Sequence, residues 1–181
     1  MKIISGKYKG IALEGFNLDG TRPTMDRVKE SLFAMIQEEI PNSICLDLFS
    51  GSGNLGIEAL SNGAKFIYLS DNNKKAMDVI KKNLNKLSIK DNYKLLLGNF
   101  KKNIKLLEGE KLDIIFLDPP YKTDYIEKSI ELIDSFDILK QDGLIVCESD
   151  SLEKIIYSAN YSVVKQKKYG DKYVVILKRI W

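Results

Sequence analysis

The stretch Ile44 to Leu60, I-C-L-D-L-F-S-G-S-G-N-L-G-I-E-A-L, limits what this chain can fold into more than any other. Ile44, Cys45, Leu46, Leu48 and Phe49 predict a short buried strand, Gly51 to Gly53 a tight turn, and Leu55 to Leu60 the first turns of a helix. Gly51, Gly53 and Gly56 keep the spacing G-x-G-x-x-G. In that pattern glycines admit positive φ and close approach of the backbone to a ligand, and the helix N-terminus offers free N–H groups to an anion. A glycine turn between strand and helix is often only a turn, so the flanking residues decide.

Asp47 stands near the carboxyl end of the strand, four positions before Gly51. A dinucleotide's pyrophosphate would meet a like charge there, whereas a cationic ligand would be attracted. S-adenosylmethionine carries a sulfonium and an ammonium, and its carboxylate suits the loop amides and the helix N-terminus. Asp71 closes the next apolar run, Phe66 to Leu69, and an acid at the end of a second strand suits ribose hydroxyls. The plainer alternative is that Asp47 caps a turn and Asp71 caps the helix starting near Asn73.

A length of 181 residues suggests one domain with a full core. The 44% hydrophobic and 29% charged residues are those of a water-soluble globular chain, and no apolar run is long enough to span a bilayer. The N-terminus lacks the apolar stretch of a signal peptide, so the chain reads as cytoplasmic and free of membrane. Cys45 and Cys147 fall in predicted buried strands, which argues against a disulfide or a metal cluster. The chain has no histidine, so catalysis must rest on carboxylates, amides, backbone carbonyls or a cofactor's own reactivity.

The net charge of +3 is unevenly spread. From Lys154 to Trp181 there are seven bases against one acid, and the first thirteen residues carry Lys2, Lys7 and Lys9 with no acid. If the fold brings the two ends to one face they make a phosphate-binding patch; otherwise they are solvated surface.

Along the chain, Ile3-Ile4 and Ile11 to Leu13 predict a small hairpin with Gly6 or Gly10 near its turn. Val28, Leu32, Met35 and Ile36 recur at helical spacing, with Thr24 as N-cap and Pro41 as the stop. Arg22 and Arg27 flank that cap, for surface ion pairs or for an anionic substrate. Beyond the helix that follows the glycine loop, strands at Phe66 to Leu69, Tyr93 to Leu97, Leu112 to Leu117 and Leu144 to Cys147 alternate with helices at about Lys74 to Leu87, after Gly98-Asn99-Phe100 to about Leu107, and at about Tyr125 to Phe136. This alternation predicts a doubly wound, mostly parallel α/β sheet with ligands at the carboxyl ends of its strands, where Asp47, Asp71, Asn99 and Asp118 fall. Tyr161 to Lys165 and Lys172 to Lys178 predict an antiparallel hairpin closing the sheet. The expected organisation is one domain over 1–181, with an extension at 1–40 and a Rossmann-like core at 41–181.

Asp118-Pro119-Pro120-Tyr121 follows the strand Leu112 to Leu117. Two prolines fix the backbone and remove two donors, leaving carbonyls beside a carboxylate and an aromatic ring. Such an arrangement accepts hydrogen bonds from an exocyclic NH2 group, a poor nucleophile whose lone pair is delocalised into its ring. The Asp118 carboxylate and the Pro119 carbonyl would pyramidalise that nitrogen, and Tyr121 could stack on an extruded base. A rigid proline turn capped by Asp118 is the alternative.

Asp47 to Gly53 together with Asp118 to Tyr121 resembles the Rossmann-like methyltransferases that modify exocyclic amines. Ile3 to Gly10, Arg22 to Glu30 and Tyr169 to Asp171 are similar to the RsmD family of bacterial 16S rRNA guanine-N2 methyltransferases. The resemblance implies S-adenosylmethionine as donor, 16S rRNA, free or in an assembling small subunit, as substrate, and N2-methylguanosine as product. On this reading the cofactor is bound by Asp47, Phe49, Gly51, Gly53, Asp71, Asn72, Asn99 and Phe100, with Asp118, Pro119, Pro120 and Tyr121 at the chemistry and Lys7, Lys9, Arg22, Arg27, Lys167 and Lys168 on RNA. Family members usually have Glu where this chain has Asp71, Asp where it has Asn99, and Thr where it has Lys172. Among rival readings, a nicotinamide oxidoreductase leaves Asp118 to Tyr121 without a role. An adenine-N6 methyltransferase shares that motif, and a non-catalytic RNA-binding protein needs only the basic ends.

Overall fold

The computed structural model describes residues 1–16, 23–121 and 123–181, with only the backbone of Pro23 and Thr24. The sheet is laid down by β1 (Ile44–Asp47), β2 (Phe66–Asp71), β3 (Tyr93–Leu97), β4 (Leu112–Leu117), β5 (Leu139–Ser149), β6 (Tyr161–Tyr169) and β7 (Lys172–Arg179). The helices are α1 (Pro23–Met35), α2 (Asn54–Ser61), α3 (Lys74–Lys86), α4 (Phe100–Leu106) and α5 (Tyr125–Ser135), and a short 3-10 turn spans Leu152–Lys154. Among the described residues these strands form one sheet in the order β3-β2-β1-β4-β5-β7-β6. The first five are parallel; β7 enters antiparallel to β5 and returns the chain from β6. Because the order reverses between β1 and β4, their connections leave to opposite sides and open a crevice at the carboxyl edge.

Both faces are covered. Cys45, Ile67, Ile114, Phe116, Val146, Val174 and Ile176 pack under Leu32 and Phe33 of α1, Ile57 of α2 and Ile80 and Leu84 of α3. Leu46, Ile115, Leu117, Ile145, Cys147 and Val175 pack against Ile104 of α4 and Ile130 and Ile133 of α5. Alternate residues of each strand feed the two cores, which is why the strand sequences read as continuous apolar runs. Cys45 and Cys147 are buried free thiols, both pushed up in pKa by burial, Cys45 to about 12.

The two N-terminal arms pair antiparallel through the bridge of Lys2 with Ala12, the Ile3 N–H donating to Ile11 O at 2.9 Å and the Gly10 N–H to Ile3 O at 2.8 Å, while the backbone between them turns to α2: the Lys7 N–H donates to Ser61 O at 2.7 Å and the Tyr8 N–H to Ser61 Oγ at 3.0 Å. Four expectations need correction. The first helix opens on Pro23, where a missing N–H costs nothing, so Thr24 lies inside its first turn. The side chain of Thr24, and Arg22 altogether, lie outside the described residues. The same helix ends at Met35 rather than at Pro41; Glu38 and Glu39 follow, charges that a helix C-terminus disfavours. Strand β5 begins at Leu139 instead of Leu144, since Leu139 pairs with Leu112 before the polar Lys140 to Gly143 shifts the register. Strand β6 continues past Lys165 to Tyr169, pairing with β7 throughout, its exposed lysines suiting an edge strand.

Candidate active site

The glycine loop is held from below by its own neighbours. The Ser50 hydroxyl donates to Asp47 O at 2.7 Å, the Ser50 N–H to Ser70 O at 2.8 Å, and the Gly53 N–H to Ser50 O at 2.8 Å. Gly53, at φ 85°, takes the left-handed conformation as it caps α2. Gly56 serves packing: a Cβ there would lie 2.4 Å from Leu69 Cδ2, so the helix could not sit this close to β2. Its N–H, turned toward β1, donates to Asp47 Oδ2 at 2.9 Å. Asp47 is only 1% exposed, and its other oxygen, Oδ1, is buried without a hydrogen-bond partner among the described residues. Burial pushes its carboxyl up to about 7, the Gly56 N–H opposing and the Asp71 charge adding to the rise.

Asp71 ends β2 and ties the loop to the next element. Oδ2 accepts the Gly51 N–H and Oδ1 the Asn73 N–H, both at 2.9 Å. Asn73, not Asp71, caps α3, its Oδ1 accepting the Lys75 N–H at 2.8 Å. Asn99 caps α4 in the same way, accepting the Lys101 N–H at 2.8 Å, which leaves its Nδ2 group and one lone pair of Oδ1 for a ligand. Buried Asn103, which sequence reasoning passed over, donates through Nδ2 to Ser70 Oγ, Leu96 O and Gly98 O and fixes the ends of β2 and β3 together. An asparagine beside Phe100 and Ile104 on the buried side of a lysine-rich helix is the signal that could have found it.

These ends surround a cavity of about 930 Å³ lined by Phe49, Gly51, Asp71, Asn72, Asn99 and Phe100 and, across from them, by Asp118, Pro119, Pro120, Tyr121 and Lys172. Phe49, Phe100 and Tyr125 form its aromatic side, with ring centroids 4.8–5.9 Å apart. Asp47, Lys29 and Glu148 line an adjoining cavity of about 370 Å³ that shares Phe49, Gly51 and Asp118 with the first. Asp118 thus stands where the two meet. Gly53 lies behind the loop.

The alternation that buries Cys45, Phe116, Val146 and Val174 on one face carries Asp47, Asp118, Glu148 and Lys172 to the carboxyl edge of that same face. One step past the pairing of Leu117 with Cys147, Asp118 comes level with Glu148, whose partner on β7 is Val174, two residues from Lys172. Lys172 Nζ lies 3.0 Å from Glu148 Oε1 and 5.2 Å from the centroid of the Tyr121 ring. Burial, then Glu148 and Asp47, raise the Asp118 carboxyl well above the carboxylate range, against the pull of Lys172. Burial alone would lower the Lys172 ammonium, but Glu148 and Tyr121 outweigh it and hold it charged. Glu148 and Lys172 were not among the expected site residues, although Glu148 ends a parallel strand at the edge where Asp47 and Asp118 fall.

The basic residues divide. Strand β6 ends and β7 begins at the carboxyl edge, so Lys167 and Lys168 lie beside the cleft, their ammonium groups 5.2 and 5.3 Å from the rings of Tyr169 and Tyr173. Tyr169 and Lys167 also meet Ser31 of α1, and exposed Arg27 is one turn nearer that helix's start. Lys7 and Lys9 are exposed on the N-terminal segment, where the Lys7 N–H is anchored to Ser61, about 10 Å along α2 from the glycine loop. Lys167 and Lys168 thus stand beside the cleft, and Lys7 and Lys9 by the far end of α2. What the N-terminal segment does hold is a buried pair: Lys29 Nζ lies 3.7 Å from Glu58 Oε1 and donates to Lys2 O and to Asn54 Oδ1, both at 2.7 Å, while Glu58 accepts the Ile4 N–H.

The sheet order, the glycine loop and the acid-lined crevice define a Rossmann-like fold of the S-adenosylmethionine-dependent methyltransferase class. The chain belongs to the RsmD family, matching over residues 1–178 the family described as conserved hypothetical protein 95. Ribosomal RNA small subunit methyltransferase D of Buchnera aphidicola subsp. Acyrthosiphon pisum is 37% identical to it over 165 residues, 91% of this chain and 86% of the relative. The structure of Escherichia coli yhhF, provisionally named a methyltransferase, is similar with a TM-score of 0.88 at 31% identity, covering 99% of this chain and 98% of that one. SMU.776, solved in complex with SAH, shares the fold at 17% identity, with a TM-score of 0.71 over 87% of this chain and 50% of its own.

Proposed function

We propose that this chain, one domain over 1–181 working in the cytoplasm, transfers a methyl group from S-adenosylmethionine to the exocyclic N2 amine of a guanine in 16S rRNA. The observation that carries this reading is the place of Asp118, at the junction of the two cavities and followed by Pro119, Pro120 and Tyr121. The residues present fit the cofactor. Asp47 offers a buried acceptor oxygen without a partner among the described residues, as a methionyl ammonium needs, and Asn54 and Leu55 bring the N-terminus of α2 to the same cavity, where it suits the cofactor's carboxylate. Asp71 and Asn72 suit the ribose, while Asn99 and the faces of Phe49 and Phe100 suit adenine. When bound, S-adenosylmethionine supplies an electrophilic methyl group on a sulfonium.

The chain's own residues prepare the acceptor. Tyr121, 44% exposed at the mouth, stacks on the extruded base. The Asp118 carboxylate and the Pro119 carbonyl accept the amine's two N–H groups and free its lone pair from conjugation. As positive charge develops on that nitrogen the hydrogen bond to Asp118 strengthens, and the proton passes to the carboxylate, whose raised pKa suits it to receive one. Arg27, Lys167 and Lys168 flank the cleft and hold phosphates.

Mass spectrometry of small-subunit rRNA nucleosides from a strain lacking the protein tests this. N2-methylguanosine should fall by one residue per subunit and return with the gene. Loss of N6-methyladenosine instead would assign the chain to adenine, and an unchanged nucleoside profile would leave it a binding protein.

A further inference from the structure

Two of the four charges in the row at the sheet edge, Asp47 and Asp118, are accounted for by methyl transfer, and two are not. Glu148 and Lys172 form a 3.0 Å ion pair with side chains 11% and 23% exposed, one lining each of the two cavities that meet at Asp118. Across the strands from β7 to β4 the row presents a donor at Lys172, an acceptor at Glu148 and an acceptor at Asp118. Guanine's Watson–Crick edge presents the complement in the same order: the O6 acceptor, the N1–H donor and the N2 amine. Adenine presents the opposite, setting its amine against an ammonium and its N1 lone pair against a carboxylate.

We propose that Lys172 and Glu148 read O6 and N1–H of the target guanine while its N2 amine lies at Asp118, which rests on the guanine-N2 reading above. The order of strands supports this. Asp118 is the member of the trio nearest β1 and the glycine loop, so the amine is the group delivered toward the methyl donor. Lys172 Nζ lies over the Tyr121 ring, 5.2 Å from its centroid, so a base that stacks on that ring comes within reach of the row. One Glu148 oxygen keeps Lys172, and the other is available to N1–H.

The test uses 2,6-diaminopurine, which keeps the N2 amine but carries an amine in place of O6 and a lone pair in place of N1–H. Small-subunit rRNA is ligated around a synthetic segment with guanine or 2,6-diaminopurine at the nucleotide found by mass spectrometry, and offered free and assembled with ribosomal proteins. Single-turnover methylation is measured for wild type, Lys172→Met and Glu148→Gln, with S-adenosylmethionine affinity confirming that each variant is folded. Lys172→Met should slow the guanine substrate by roughly ten- to a hundredfold, the loss of one charge-assisted contact, and change the 2,6-diaminopurine rate by less than about threefold. Glu148→Gln, whose amide can donate to the N1 lone pair, should shift preference in the same direction. Equal losses on both bases, with cofactor affinity retained, would overturn this assignment and leave methyl transfer to guanine standing. Failure of the wild type to methylate the guanine RNA in either form would overturn the functional reading itself.

Discussion

Asp47 Oδ2 accepts the Gly56 N–H at 2.9 Å while Oδ1, equally buried, has no partner among the described residues. Half of this carboxylate is spent on holding α2 against β1, and half is available to a ligand. With its pKa near 7, the group is partly protonated at neutral pH until a cation arrives. Binding of S-adenosylmethionine should therefore release protons at pH 7 and weaken as pH falls below about 7. Calorimetry in buffers of different ionisation enthalpy measures this; proton uptake, or none, would remove Asp47 from the ammonium site.

The same group sets a pH dependence of stability. Its folded pKa is above the unfolded value of about 3.9, so its contribution is fully present below pH 4 and is lost as pH rises through about 7. Asp47→Asn should raise Tm of the ligand-free protein at pH 8 and not at pH 4, while abolishing the gain in Tm that S-adenosylmethionine gives. A Tm gain equal at both pH values would mean that the carboxyl is not shifted by burial.

Asp71 spans two backbone donors, Gly51 and Asn73, across the ends of β1 and β2. Asp71→Ala should weaken cofactor binding by roughly ten- to a hundredfold, through a lost charge-assisted bond to the ribose and a looser loop. Unchanged affinity in this variant would exclude Asp71 from the cofactor site.

Lys29 and Glu58, 1% and 0% exposed, join α1, α2 and the first residues of the chain. Burial lowers the lysine and raises the glutamate, so each ion depends on the other. Removing one partner strands the other: Lys29→Ala should cost about 3–5 kcal/mol in chemical denaturation, and Lys29→Met with Glu58→Gln considerably less. Equal costs would mean that packing, not charge, sets this stability.

How far the sequence was legible depended on distance along the chain. Strands β3 and β4 begin and end where the apolar runs Tyr93 to Leu97 and Leu112 to Leu117 do, because turn residues bound them. Asp47, Asp71, Asn99 and Asp118 share one edge because each ends a parallel strand or follows one within two residues. Leu139 was hidden because four residues, Lys140 to Gly143, interrupt its strand with a polar shift of register. The Glu148–Lys172 pair needed β7 to lie between β5 and β6, a pairing across 24 residues that no local pattern encodes. The position of Lys7 and Lys9 by the end of α2 was hidden for the same reason: net charge is visible in sequence, but the path that ties Lys7 to Ser61 is not.

From that path different outcomes are expected for the two basic ends. Replacing Lys167 and Lys168 with alanine should weaken RNA binding and flatten its salt dependence by about one to two units of slope. Replacing Lys7 and Lys9 should leave the slope unchanged. The reverse pattern in filter binding across a salt series would put the RNA path over the N-terminal segment.

Asp118 bears the central claim, since every rival that only binds leaves it idle. At saturating S-adenosylmethionine and RNA, Asp118→Ala should lower the single-turnover rate of guanine methylation on the order of a hundred- to a thousandfold, the usual cost of one transition-state contact, with cofactor affinity nearly intact. Asp118→Asn, which keeps an acceptor oxygen and loses the charge, should fall between. A wild-type rate in Asp118→Ala would contradict the account.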